Sequence, residues 1–433
     1  MKILIQHGRV IDPASGVDQV CDVAIAGGSI VAIGRAAADF APQKVVDAKG
    51  CMVLPGLVDL AVRLREPGHE HARMLESELA AAVAGGVTSL VCPPDTEPVL
   101  DEPGLVEMLR FRAEKLHLAR VYPQGALTRA LAGDVLTEMV ELTQAGCVAF
   151  GQADVPLAST LVLLRALQYA GTFGYPVWLR PQDRDLGGGV VASGPLATRM
   201  GLSGIPVAAE TIALHTLVEL VRATGARVHI CRLSSAAGLA IVRLAKAEGL
   251  PISCDVSVNS LHLMDTDIGY FDSRARLNPP LRQQRDRDAL RAGLADGSID
   301  ALVSDHCPVA EDGKALPFAE SEPGATGVEL LLALALKWAS QDGVALSRAV
   351  EVVTIAAARV LGATPGGVHT GAGRLLLGAA ADLCVVEPEA PWIVSPQNLR
   401  SQGKHTPFSG HEMAARVRCT LVGGRIAYQA WAD

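Results

Sequence analysis

Eight short β-rich runs, each followed by an Ala/Leu-rich stretch of helical period, constrain the fold of this chain more than any other feature. The runs occupy 57–62, 87–92, 120–124, 148–151, 176–180, 227–231, 252–256 and 301–304. Helical patterns fall at 75–84, 105–115, 135–144, 161–170, 208–223, 236–245, 286–294 and 328–339. Parallel strands need a long crossover between them, and a helix is the usual one, so strand–helix alternation predicts a parallel sheet. Eight such units in succession predict a TIM-like (β/α)8 barrel over residues 53–369, of the α/β class. The flanks, 1–52 and 370–433, read differently. Short apolar runs alternate there with turn signals, as in Val23-Ala24-Ile25, Ala26-Gly27-Gly28 and Ile30-Val31-Ala32-Ile33. The two flanks are expected to pair into one composite β-sandwich beside the barrel.

Composition narrows the partners. A formal net charge of −8 disfavours a nucleic-acid groove or an anionic membrane surface. No stretch reaches the length of an apolar membrane span, and the N-terminus turns polar too early for a signal peptide. Nine scattered cysteines form no C-x-x-C pair and read as reduced, buried small hydrophobes of a cytoplasmic protein.

A barrel enzyme places its chemistry at the C-terminal ends of its strands. Those ends here present Ala61 and Arg63, then Gln152 and Ala153, then Arg180, Arg232 and Asp305. Alanine offers no lone pair, and arginine is a permanent cation with five donors and no acceptor.

Several ordered blocks carry a family likeness. They include Pro55-Gly56-Leu57-Val58-Asp59 with Leu64-Arg65-Glu66-Pro67-Gly68, and Ala84-Gly85-Gly86-Val87-Thr88 with Cys92-Pro93-Pro94-Asp95-Thr96. Further blocks are Val228-His229-Ile230-Cys231-Arg232, Leu277-Asn278-Pro279-Pro280-Leu281, Ser304-Asp305-His306-Cys307-Pro308 and Gly403-Lys404-His405-Thr406-Pro407-Phe408. Over nearly its whole length the chain resembles type I dihydroorotases of the amidohydrolase superfamily. The resemblance implies a metallo-dependent hydrolase-like barrel with a composite sandwich, and zinc in active relatives. It also implies His-x-His after strand 1, an acidic or carboxylated-lysine ligand after strand 4, single histidines after strands 5 and 6, and an aspartate after strand 8. By that resemblance Ala61, Arg63, Gln152, Ala153, Arg180 and Arg232 are degenerate metal-ligand positions, and Asp305 is the vestigial general acid/base. No metal or other cofactor is expected here. Arg65 matches the family arginine that grips a substrate carboxylate, and Asn278 matches a second polar contact. Asp95 stands where the family has asparagine, and an anion there would repel an anionic substrate. Asn259, Ser260 and Val309 replace family histidines.

Each candidate also has a plain reading. Arg63, Arg180 and Arg232 are read either as an anion site or as filling the vacated metal space, paired with Asp305, Asp183 or Glu66. His69 and His71 form a His-x-His beyond the Pro-Gly turn, off the strand end. His306 should point away from the pocket, since side chains alternate along a strand, and His229 reads as structural. Gly187-Gly188-Gly189 is a loop without the strand–helix context of a phosphate cradle, and Asp183-Arg184-Asp185 is a solvated charge cluster.

The ligand losses look like those of the non-catalytic dihydroorotase-like subunit of some bacterial aspartate carbamoyltransferases. That implies an assembly role in pyrimidine synthesis, a hetero-oligomer of six chains of each kind with the catalytic chain, and self-association. The alternatives are a metal-independent enzyme using Asp305 as base, or an anion-binding protein acting on a pyrimidine-pathway-like cyclic amide.

Overall fold

The computed structural model describes residues 1–70, 74–157, 159–362 and 371–430. The expected boundary at 369/370 and His71 lie outside the described residues.

Eight parallel strands form the barrel: Leu57–Asp59, Val87–Cys92, Arg120–Ala126, Ala149–Gly151, Val177–Leu179, Val228–Ile230, Ile252–Ser257 and Ala301–Val303. They pair in sequence order. The first and last meet beyond their regular ends, where His306 N donates to Ala61 O at 3.0 Å and Arg63 N donates to His306 O at 2.8 Å. Residues of the barrel strands divide by parity. Val58, Leu60, Val91, Tyr122, Ala149, Trp178, Ala301 and Val303 fill the interior, while Leu57, Leu90, Val177, Val228, Ile230 and Leu302 face the surrounding helices.

The helices follow the predicted order with modest shifts. The helix expected over 135–144 starts later, as Met139–Ala145, because Thr128 and Leu136 first form an antiparallel bridge. Short helices such as Val258–His262 and Leu346–Glu351 carry too few residues to show a period, so sequence pattern missed them.

Strands from both flanks share one sheet, ordered Arg425–Gln429, Arg416–Val422, Leu383–Glu387, Met52–Pro55, Arg9–Asp12 and Val17–Val20. A second sheet of Ser29–Ile33, Val23–Ala26, Lys2–Gln6 and Lys44–Asp47 packs on it around Ile3, Ile25, Val53 and Leu421. The strand Met52–Pro55 runs through Gly56 directly into the barrel. Any Cβ at Gly56 would lie 2.1 Å from Thr88 Oγ1, so only glycine permits this junction.

The last barrel strand is anchored from outside. His306, fully buried, donates from Nε2 to Glu78 Oε2 at 2.8 Å, and its Nδ1 accepts Gly327 N at 3.1 Å. A backbone donor on Nδ1 requires a lone pair there, so the ring is neutral with its proton on Nε2. Glu78 also accepts Ser401 Oγ at 2.6 Å, and Thr326 N donates to His405 O at 2.8 Å. The segment around 399–408 is thereby strapped across the helix Leu75–Ala84 and the barrel rim.

Glu329 holds the same strap by accepting Arg400 N at 2.8 Å and Ser401 N at 2.9 Å. Burial pushes its carboxyl up from 4.5 to about 7, and burial pushes that of Asp59 up from 3.8 to about 6. Folded-state values above the unfolded ones favour folding when protonated. That contribution is complete below each unfolded value and is lost as pH climbs through 6 to 7. The thermal midpoint is therefore expected to fall between pH 5 and 8. Glu329→Gln should remove a share on the order of 2 kcal/mol of that dependence. Parallel melting curves for variant and parent across this range would contradict the assignment.

Candidate functional site

The barrel mouth is filled by charge. Arg63, Arg180 and Arg232 project from the ends of strands 1, 5 and 6 and are nearly inaccessible to solvent. Their common partner is Asp154, three residues beyond strand 4. Arg63 donates from NH2 to Asp154 Oδ2 at 2.9 Å, Arg180 from Nε to Oδ1 at 2.8 Å, and Arg232 from NH2 to the same Oδ1. Arg63 Nε also donates to Asp95 Oδ2 at 2.7 Å, and Arg232 NH1 donates to Asp305 Oδ1 at 3.1 Å. Three guanidiniums thus face three carboxylates.

Local backbone geometry aims these groups inward. Arg65, Ala153, Arg232 and Asp305 all adopt positive φ, between 49° and 61°, at the ends of strands 1, 4, 6 and 8. Non-glycine residues reach this region rarely, and they concentrate at sites where surrounding structure over-determines them. The kink at Arg232 is held by Asp255, whose Oδ1 accepts Arg232 N at 2.6 Å.

The electrostatics are strongly coupled. Burial works to raise the Asp154 carboxyl, but Arg232, Arg63 and Arg180 override it and hold it far below the usual carboxylate range. Burial raises the Asp305 carboxyl above its ordinary value against the opposing pull of Arg232 and Arg63. Burial lowers Arg180, which also sits beside the like charges of Arg232 and Arg63.

The sequence-predicted residues separate here. Arg63, Arg180, Arg232, Asp305 and Asp95 come together. Asp95 is not a free anion, because Arg63 neutralises it. Of the three carboxylates expected to pair with the arginines, only Asp305 does so. Asp183 instead caps its own turn, accepting Asp185 N and Leu186 N, and Glu66 pairs with Arg112 and accepts Leu75 N. Gln152 turns away from the mouth: its amide donates to Thr128 Oγ1 and Leu131 O, both at 2.8 Å. Ala61 packs its methyl into the barrel interior. Arg65 is spent on the strand 8 loop, with Nε on Pro308 O at 2.9 Å and NH2 on Cys307 Sγ at 3.2 Å. Asn278 contributes its backbone carbonyl, which accepts Arg232 NH1 at 3.2 Å.

Asp154 is the residue that sequence reading missed. Three cations at the ends of strands 1, 5 and 6 demand counter-charge, and Asp154 is the acid nearest in sequence to the strand 4 end.

His69 lies in the turn that follows Arg65, its N–H bonded to Arg65 O. Deeper in the barrel, His229, Cys231 and Asp255 place donor atoms within 4.8 Å of one another. His229 Nε2 donates to Asp255 Oδ2 and Nδ1 accepts Ser253 Oγ, each at 2.8 Å, so the ring is already spent.

This architecture defines an amidohydrolase-type barrel. Solved structures of an L-hydantoinase from Arthrobacter aurescens and a D-hydantoinase from Thermus sp. superpose with TM-scores of 0.87 and 0.85. Both likenesses cover 99% of this chain and 96% and 95% of theirs, at 22% and 23% identity, so they speak for the fold alone. In sequence, residues 50–237 match the family described as Dihydro-orotase-like and 203–427 the Amidohydrolase family. A dihydroorotase-like protein of Pseudomonas aeruginosa is 45% identical over 99% of this chain and 100% of its own length. A dihydroorotase of Anaeromyxobacter sp. is 39% identical over 99% and 98%. The chain belongs to the dihydroorotase-like family of amidohydrolases. Among the described residues no helix is long and apolar enough to cross a membrane.

Proposed function

We propose that this chain has given up metal-dependent ring hydrolysis and serves as an assembly subunit for an aspartate carbamoyltransferase catalytic chain, six of each. The observation that supports the loss of hydrolysis is the Asp154-centred cluster. A divalent cation needs three or four lone-pair donors, and in this family it would also generate the nucleophile from bound water. Among the described residues the Asp154-centred cluster holds no imidazole, and each of its carboxylates already accepts from a guanidinium. Three added positive charges oppose a cation further. The donor set does not suit the metals of the active relatives. Without that nucleophile, acid–base assistance from Asp305 supplies only about 10²–10⁴-fold. The assembly role rests on the likeness of these losses to those of the non-catalytic transcarbamoylase subunit.

Metal analysis with a dihydroorotase assay tests the first part, and co-expression with an aspartate carbamoyltransferase followed by sizing tests the second. The expected result is no stoichiometric metal, no turnover of dihydroorotate, and one large co-eluting complex. One or two equivalents of zinc that disappear on Asp154→Ala would overturn the metal-free reading. Turnover of a cyclic amide without metal would replace it with a metal-independent enzyme. Separate elution of the two proteins would remove the assembly role.

A further inference from the structure

A second concentration of positive charge lies outside the barrel-mouth cluster. A cleft of about 740 Å³ opens where the composite sheet meets the helix Leu331–Asp342 and the loop at 397–400. In the strand Arg416–Val422, residues Arg416, Arg418 and Thr420 alternate onto one face, and Tyr428 lies opposite Thr420 on the neighbouring strand. Thr420 Oγ1 donates to Val83 O at 2.7 Å, so this face is turned toward the barrel and the cleft occupies its outer end.

Two arginines in the cleft are placed by aromatic rings. The Arg416 guanidinium sits 5.4 Å from the centroid of Trp392, and that of Arg400 sits 6.0 Å from Tyr428. Trp392 is itself fixed, donating from Nε1 to Ala415 O at 3.0 Å. The Arg400 backbone is fixed by Glu329. The acids nearby are otherwise engaged: Glu387 accepts Arg418 Nε at 2.6 Å, and Glu329 serves the backbone of the strap. Among the described residues neither Arg400 nor Arg416 meets a carboxylate or donates a side-chain hydrogen bond. Two unneutralised guanidinium forks thus line one concave cleft in a chain whose net charge is −8.

We propose that this cleft binds a small phosphate-bearing ligand through the forks of Arg400 and Arg416. A planar fork suits bidentate contact with phosphate oxygens. Two cations match the charge of a phosphate ester better than that of a single carboxylate, which would leave one fork uncompensated. The cleft shares no residue with the barrel-mouth cluster, so this proposal stands or falls independently of the assembly role.

Titration calorimetry of the full chain with inorganic pyrophosphate at low ionic strength tests it. Saturable binding of one equivalent per chain is expected, with Kd below about 1 mM. Arg400→Gln and Arg416→Gln should each weaken it by about tenfold or more, because each removes one charged fork. Arg425→Gln, on the neighbouring strand that carries Tyr428 but outside this cleft, should bind like the parent. The variants alter side chains at the cleft surface, and circular dichroism with thermal melting verifies their folding. Absence of saturable binding, unchanged binding in both cleft variants, or an equal loss in Arg425→Gln would each overturn the proposal. The last result would mean that the affinity is non-specific surface charge.

Discussion

Asp154→Asn is expected to destabilise the protein by about 3 kcal/mol, the largest effect of any single change at the barrel mouth. The carboxylate accepts from three guanidiniums that are each more than nine-tenths buried. Removing it leaves +3 facing two carboxylates in a desolvated site. Breaking a buried pair costs about 3–5 kcal/mol because the orphaned charge stays behind, and the 30% exposure of the Asp154 side chain places the loss at the lower end. Because the folded-state carboxyl is depressed, its contribution is present above the ordinary carboxylate range and is lost only on strong acidification. Denaturant unfolding at neutral pH measures the loss. A double variant, Asp154→Asn with Arg180→Gln, should be no less stable than Asp154→Asn alone, since Arg180 has Asp154 as its carboxylate partner and the second change removes that orphaned charge. Unchanged stability in Asp154→Asn, or strict additivity in the double variant, would show that the cluster does not support the barrel.

Glu78→Ala should be comparably damaging, by about 3–5 kcal/mol, although it lies outside the mouth. Glu78 and His306 are both fully buried, and the carboxylate also accepts Ser401 Oγ. Truncation leaves the His306 Nε2–H and the Ser401 hydroxyl buried without acceptors, each about 1–3 kcal/mol, and opens a cavity as well. Burial would raise the Glu78 carboxyl, yet the hydrogen bonds from His306, Ser401 and Ser77 hold it below its ordinary value. Its stabilisation is therefore present above that value and is lost as pH falls. Glu78→Gln retains one acceptor and the volume, so about half the loss is expected. Limited proteolysis gives a second readout: Glu78→Ala should expose the strap near Ser401 to cleavage while the parent resists. If the variant melts like the parent and the strap stays protected, the tie between helix, last strand and strap carries little weight.

The barrel was legible because its determinants are local. Runs such as 87–92 are bounded by turn residues and followed by helical periods, and both signals survive in sequence. The scarcity of lone-pair donors at these strand ends was legible for the same reason, since Ala61, Arg63, Arg180 and Arg232 declare their chemistry by type alone. Their partners were not. Glu66 adjoins Arg65 in the strand 1 block, yet it turns to Arg112 and the helix Leu75–Ala84. Asp183 follows Arg180 by three residues, yet it closes its own turn. Asp154 stands in no motif that marks it as the partner of all three arginines.

Sequence by itself determined which residue types stand at the ends of the strands, because strand period and chain order assign each of them a place. Only the tertiary structure decided that Asp154 gathers Arg63, Arg180 and Arg232, that Asp95 is neutralised, and that Arg65 is spent on a loop. Ion pairing depends on distances across the barrel between residues up to 91 positions apart, as with Arg63 and Asp154. Four strand ends in left-handed conformation set those distances, and neither composition nor period encodes such an angle.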